Sequence, residues 1–142
     1  MYHKVILVGN LGRDPEPRYL PSGTMVCNFS MATSEKWTGQ DGQQQERTIW
    51  WRVAVFGKAG EACNEYLKKG SKVLVEGRMV ADPKTGNPRI WTGQDGQARA
   101  SFEVNAAAVK FLSSRGEAAS AAGGASSGMM DAEPADESEI PF

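Results

Sequence analysis

Histidine, cysteine and long apolar runs are all scarce in this chain of 142 residues. His3 is the only histidine and lies near the start, so a catalytic triad or a metal cluster built on histidine has no place to form. Cys27 and Cys63 are the only cysteines, and neither belongs to a Cys-x-x-Cys pair, so we expect two free reduced thiols. The apolar run at residues 5–8 is too short for a signal peptide or a membrane span, which predicts a cytoplasmic protein with no membrane partner.

A phosphate-binding loop is missing as well. Gly57-Lys58 superficially matches the end of such a loop, but the upstream glycine would stand at position 52, which is arginine. Ala59 also replaces the Ser or Thr that would follow the lysine. We therefore expect neither an enzyme nor a bound metal or cofactor.

The charges are divided unevenly along the chain. Residues 1–115 carry 16 basic and 11 acidic side chains, a net charge of +5, whereas residues 116–142 carry six acidic side chains and no basic one. This division predicts a body that binds an anion and a tail that binds a basic partner.

Composition separates three segments. Residues 1–112 alternate short β-rich runs with turn clusters, residues 113–130 are mostly Ala, Gly and Ser, and residues 131–142 are acidic with two prolines. We expect a folded domain, a flexible linker and a disordered tail. Strands are predicted at 4–10, 26–37, 48–57, 72–80, 89–92 and 99–112, with one short helix at 58–69 that ends at Gly70. Strands, one helix and further strands are the order of an all-β, five-stranded oligonucleotide-binding (OB) barrel.

One heptapeptide occurs twice. Residues 37–43 and 91–97 both read WTGQDGQ. Each copy contains Asp-Gly, a strong signal for a hairpin with a two-residue turn, so we predict two similar hairpins at the tips of one barrel. The pattern leaves open whether Trp37 and Trp91 serve a ligand or only pack across their hairpins.

Residues 48–57 sort onto two faces by their alternation. One face carries an apolar set suited to the core: Ile49, Trp51, Val53 and Val55. The other presents Trp50, Arg52 and Phe56, two large rings with a guanidinium between them. Such a surface suits stacked nucleobases, because every base has a π-face and arginine can meet the phosphates. A second subunit that covers Trp50 and Phe56 is the alternative.

The chain resembles the bacterial single-stranded DNA-binding proteins of replication type. The matching motifs are residues 4–12, Asp14-Pro15, Arg18-Tyr19, residues 32–35, residues 56–58, residues 65–67, residues 69–71, residues 75–77 and the final Ile140-Pro141-Phe142. The resemblance implies an OB fold that assembles as a homotetramer, wraps single-stranded DNA and serves replication, recombination and repair in association with the nucleoid.

The same resemblance implies particular roles for residues of this chain. The base-stacking aromatic residues would be Trp37, Trp50, Phe56 and Trp91. The phosphate contacts would be Lys4, Arg52, Lys58, Lys69 and Arg89. An OB barrel that acts as a protein or RNA adaptor, without a strong role on single-stranded DNA, is the alternative function.

The tail tip combines acidic and apolar side chains in one short segment: Asp136, Glu137, Ser138, Glu139, Ile140, Pro141 and Phe142. A partner could take the Phe142 ring in a pocket and meet the acids with a basic rim. Composition alone is typical of a solubilising tail, whereas the resemblance implies a peptide that recruits replication, recombination and repair proteins.

Overall fold

The computed structural model describes residues 1–113, so the predicted linker, apart from Ser113, and the predicted tail lie outside the described residues. Within this part of the chain the elements are β1 Val5–Leu11, β2 Glu16–Tyr19, β3 Met25–Thr38, β4 Gln44–Phe56, α1 Gly57–Tyr66, β5 Lys72–Met79, β6 Ile90–Thr92, β7 Ala98–Ala100 and β8 Phe102–Phe111.

Five of the strands close into a barrel. The hydrogen-bonded order is β1-β5-β8-β4-β3, and β3 returns to β1 through the pairs Asn10–Ala32 and Leu11–Met31. β4 and β8 run parallel, and the other pairs are antiparallel. β2 adds to the outer edge of β3, and β6 and β7 form a separate two-stranded sheet. The predicted all-β, five-stranded barrel with one helix is confirmed.

Alternation along the strands places the core inside this barrel. Its buried members come from β1, β3, β4, β5, β8 and the helix region: Leu7, Leu11, Met25, Cys27, Phe29, Met31, Val53, Val55, Cys63, Leu67, Val73, Val75 and Val104. The helix α1 lies against β3 and β4. Gly60 makes this close approach possible, because a Cβ there would collide with the carbonyl oxygen of Val55.

Several predicted elements differ from the structure, and β4, for example, begins at Gln44 rather than at residue 48. β2 was not predicted; it contains Pro17, which an edge strand tolerates. The predicted strand at 99–112 is two strands, interrupted at Ser101. The helix ends at Tyr66 rather than at residue 69, since Leu67 adopts extended backbone angles and is buried in the core.

Both predicted hairpins are present, but their turns have three residues rather than two. In the β3–β4 tip, the amide of Gly39 donates to Gln43 O and the amide of Gly42 donates to Gly39 O. The β6–β7 tip repeats these bonds at Gly93 and Gly96. Gly42 and Gly96 both have φ of 75°, as in a three-residue loop that ends in a left-handed glycine. The repeated heptapeptide therefore forms the same tip twice.

The predicted free thiols are confirmed, since Cys27 and Cys63 are both buried and free. Burial raises the pKa of Cys27 to about 11 and that of Cys63 to about 12. No helix in residues 1–113 has the length and apolar character that a membrane crossing requires.

Candidate nucleic-acid interface

The outer face of β4 is aromatic and basic, as its alternation predicts. Trp50 is 55% exposed and Phe56 is 46% exposed, with Arg52 exposed between them. On the opposite face, Val53 and Val55 are buried, and Trp51 packs partly buried against the core. The indole nitrogen of Trp51 donates to Thr33 Oγ1 at 2.9 Å, which satisfies its polar group on the inner face.

The Trp50 ring rests on the backbone of Gly12, the residue that follows β1. A Cβ at position 12 would lie 2.8 Å from Cη2 of Trp50 and closer still to Cζ3. The edge of the six-membered ring formed by Cζ3 and Cη2 therefore lies against Gly12, while more than half of the residue remains open to solvent. Gly12 therefore restricts the movement of the indole on one side, and the ring remains accessible to a ligand.

Two adjoining grooves run over this surface. We call the first the arginine groove; it has a volume of about 640 Å³ and is lined by Phe56, Glu103 and the four arginines Arg13, Arg18, Arg52 and Arg89, among others. The second, the tryptophan groove, has a volume of about 1010 Å³ and is lined by Trp50, Trp51, Trp91, Phe102, Arg47 and Arg99, among others. Arg13, Ser30 and Arg52 belong to both grooves, so the two form one continuous surface.

Two contacts connect the β6–β7 hairpin and the residue before it to the barrel at these grooves. The Arg52 guanidinium lies 4.9 Å from the centre of the Trp91 ring, a cation–π contact. Arg89 forms an ion pair with Glu103 of β8. The hydrogen bond from Arg89 to Glu103 and the charge of that carboxylate raise the pKa of Arg89 above its ordinary value.

The grooves therefore bring together five of the nine residues predicted to contact DNA. Trp50, Phe56, Trp91, Arg52 and Arg89 all line one groove or both. A flat ring can stack on a base, and a guanidinium can form paired hydrogen bonds to a phosphate. The arrangement suits a chain that carries bases and phosphates at a regular spacing.

The other four predicted residues lie outside both grooves. Trp37 is exposed, but its register with Gln45 puts it on the face of the β3–β4 hairpin opposite to Trp50, where it stacks with Arg47 at 5.1 Å. Lys4 is paired with Glu76 at 2.7 Å on the outer side of β1 and β5. Lys58 in the first turn of α1 and Lys69 after the helix are both exposed.

Several groove residues were not among the predicted site residues. They are Arg13, Arg18, Arg47, Arg99, Phe102 and Glu103. Arg18 lies on β2, the strand that the prediction missed. Phe102 is half exposed and packs its ring 5.3 Å from that of Trp51. Phe102, an aromatic residue at the start of β8, was the sequence signal from which this end of the tryptophan groove could have been predicted.

A closed five-stranded barrel with one helix and an aromatic, basic groove across its strands defines an OB-fold protein of the nucleic-acid-binding kind. Residues 2–112 match the single-strand binding protein family, and the chain belongs to that family. The predicted resemblance is confirmed.

Curated relatives and solved structures agree with this membership. The chain is 45% identical over 115 residues to the single-stranded DNA-binding protein of Neisseria meningitidis, a match that covers 81% of this chain and 62% of the relative. It is 46% identical over 116 residues to the protein of the same name from Wolinella succinogenes, covering 82% of this chain and 67% of the relative.

Two solved structures share the fold. The SSB of Plasmodium falciparum, in complex with ssDNA, matches with a TM-score of 0.66 and 26% identity, covering 80% of this chain and 97% of that one. A deletion mutant of the single-stranded DNA binding protein from Thermus aquaticus matches with a TM-score of 0.62 and 30% identity, covering 80% of this chain and 51% of that one.

Proposed function

We propose that this protein binds single-stranded DNA without sequence preference and without changing it chemically. The observation that carries the proposal is the continuous pair of grooves, in which Arg52 lies among the exposed rings of Phe56 and Trp50 and the partly exposed ring of Trp91. Family membership and the DNA complex of the Plasmodium falciparum relative support the same ligand.

Bases stack on the rings of the two grooves while phosphates meet the arginines. Stacking does not distinguish one base from another, because each base offers a π-face, and each stacked base contributes about 1–3 kcal/mol. The stacking residues are Trp50, Phe56 and Trp91, with Trp37 reached by DNA that passes around the hairpin. The phosphate contacts are Arg52 and Arg89, with Lys4, Lys58 and Lys69 on a longer path over the barrel. Each phosphate contact adds about −0.7 to the slope of log affinity against log salt for a single strand.

The test is a titration with oligothymidine that follows tryptophan fluorescence. We expect the wild-type protein to be quenched by oligothymidine and far less by duplex DNA. Trp50→Ala and Phe56→Ala should each weaken binding by about 1–3 kcal/mol. Tyr66→Ala is the matched control, since Tyr66 is an exposed ring on α1 that lines neither groove.

Absence of quenching in the wild type at low salt would contradict the proposal and favour an OB-fold adaptor for protein or RNA. An equal loss in Tyr66→Ala and Trp50→Ala would show that the grooves are not the DNA site. Thermal unfolding of each variant separates loss of binding from loss of fold.

We also propose that the protein assembles as a homotetramer. Ile6 and Val8 of β1 are exposed apolar side chains, 61% and 47% open to solvent, on the outer face of the sheet. Val8 lies beside Leu74 of β5 in the register, so the apolar surface continues across both strands. In the described residues, the Val5–Gly9 part of β1 pairs only with β5, and its other edge is available to another strand. A second copy of this chain would cover both features.

Light scattering during size exclusion measures this assembly. We expect four chains for the wild type and a smaller mass for Val8→Asp, because a charge on this face would be buried by the partner. Arg18→Asp, a charge change in the arginine groove, is the matched control and should leave the mass unaltered. A monomeric wild type would contradict the proposal.

Residues 136–142 are proposed to recruit replication, recombination and repair proteins, and the protein is proposed to act in the cytoplasm at the nucleoid. Support comes from the acidic and apolar composition of this segment. Deleting residues 140–142 should spare binding of oligothymidine and abolish capture of purified replication and repair proteins. Equal capture by the full and shortened chains would contradict this role.

A further inference from the structure

Glu103 is an acid in a groove that we propose for a polyanion. It lies on β8, where it pairs in register with Arg52 of β4, so both side chains point to the same face. Its side chain is 16% exposed and lines the arginine groove with four arginines. Glu16, the other acid of this groove, is 65% exposed and 3.6 Å from Arg13. Glu103 is thus the more enclosed negative charge in the groove.

The carboxylate of Glu103 already accepts a hydrogen bond from the Arg89 guanidinium. Nη2 of Arg89 donates to Oε2 of Glu103. A phosphate oxygen seeks the same donors as a carboxylate oxygen, and both prefer arginine for the same geometric reason. A DNA phosphate that reaches Arg89 must therefore share or displace Glu103, and it also meets the negative charge of that carboxylate.

We propose that Glu103 is a built-in counter-anion that holds Arg89 in the free protein and yields it to a DNA phosphate, and thereby limits affinity for single-stranded DNA. The inference rests on the proposed function and deepens it by assigning a residue that opposes binding. Glu103 acts through Arg89, so it is a positioning residue.

A purely structural role for the same pair predicts the opposite sign. Arg89 immediately precedes β6, and its ion pair with Glu103 connects the β6–β7 hairpin to β8. If this tether served only to orient Trp91, removing the charge of Glu103 would loosen the hairpin and weaken binding. The sign of the change therefore distinguishes the two roles.

The test compares Glu103→Gln with the wild type in oligothymidine titrations from about 50 to about 200 mM salt. Glutamine retains the shape and can still accept a hydrogen bond from Arg89, so the fold should persist. We expect tighter binding at the lowest salt and a salt slope steeper by about 0.7, because the freed Glu103 carboxylate of the wild type takes up a cation when DNA binds and thereby offsets the ion release of about one phosphate contact, which the neutral glutamine does not do. The ratio of variant to wild-type affinity should consequently fall by about threefold over this salt range.

Two further comparisons test the route through Arg89. Glu65→Gln makes the same change in net charge on the exposed face of α1, outside both grooves, and should leave affinity and slope unaltered. In an Arg89→Ala background, Glu103→Gln should bring a smaller gain than in the wild type, because no guanidinium remains to be released.

Unchanged or weaker binding by Glu103→Gln would overturn the inference, and so would an equal gain with and without Arg89. If Glu103→Gln is less stable than the wild type, Glu103→Ala, a second variant without the charge, must change the affinity for oligothymidine in the same direction. Binding by the wild type distinguishes this result from a failure of the proposed function. If the wild type does not bind oligothymidine, the proposed function is wrong. If the wild type binds and the variant shows no gain in affinity, only the role of Glu103 is refuted.

Discussion

Replacing Gly12 by alanine should weaken binding of single-stranded DNA through a single added carbon atom. The new Cβ would lie 2.8 Å from Cη2 of Trp50, where carbon atoms in contact are about 3.5–4.0 Å apart. The indole must therefore move by about 1 Å or turn away. Because Trp50 is more than half exposed, it can do so without disturbing the core. We expect a change in unfolding free energy within about 0.5 kcal/mol.

The loss of affinity is bounded by complete removal of the ring, about 1–3 kcal/mol. A displaced but present indole should lose about 1 kcal/mol, or about fivefold in Kd. The backbone itself accepts alanine, since Gly12 is not at positive φ and its amide still donates to Ser30 O at 3.0 Å. Fluorescence anisotropy of a labelled oligothymidine measures Kd, and thermal unfolding checks the fold.

A double-mutant cycle decides whether the effect passes through Trp50. In a Trp50→Ala background there is no ring for the new Cβ to displace, so Gly12→Ala should have little further effect. The reasoning is refuted if Gly12→Ala binds as tightly as the wild type, or if it weakens binding equally with and without the indole.

Three further predictions follow from burial and charge. Cys27 and Cys63 should resist a thiol reagent at pH 8 in the folded protein and react once it is unfolded, since burial raises the pKa of both thiols to about 11 and about 12; rapid labelling of the native protein would contradict this. Met31→Ala should cost about 2–5 kcal/mol of unfolding free energy in denaturant titrations, because Met31 is fully buried, and a loss below about 1 kcal/mol would be inconsistent with that packing. Lys4 lowers the pKa of Glu76 by a hydrogen bond and by its charge, so the pair stabilises the fold above the ordinary carboxylate pKa and this stabilisation is lost as pH falls through the lowered pKa. Lys4→Met should raise the pKa of Glu76 in an NMR titration, and an unaltered value would show that the pair does not form in solution.

Much of the interface was predictable from one strand. The alternation in β4 separates Trp50, Arg52 and Phe56 from the buried valines, and a strand allows no other division of its side chains. The repeated heptapeptide likewise predicts two hairpins, although the turns are one residue longer than the Asp-Gly signal suggests. Both inferences depend on local backbone geometry, which nearby residues determine.

Trp37 shows where local reasoning ends. Its repeat partner Trp91 stacks on Arg52 in the tryptophan groove, whereas Trp37 points to the opposite face of its own hairpin from Trp50. The two identical heptapeptides thus lie in different surroundings. The β6–β7 hairpin contacts the outer face of β4, whereas the β3–β4 tip is a continuation of β4 itself. Lys4 is a similar case, since Glu76 on β5 becomes its partner only when β1 and β5 pair.

The sequence by itself determined that the chain forms a small β-barrel with exposed aromatic residues and arginine on one strand, because side-chain alternation, turn residues and charge are properties of consecutive residues. Only the tertiary structure decided which of these residues share a groove. Arg89 forms an ion pair with Glu103, the Arg52 guanidinium contacts the Trp91 ring, and Arg52 pairs in register with Glu103, so each of these contacts joins segments far apart in sequence. Such neighbours depend on barrel closure and register, which the packing of the whole core sets and which no short pattern records.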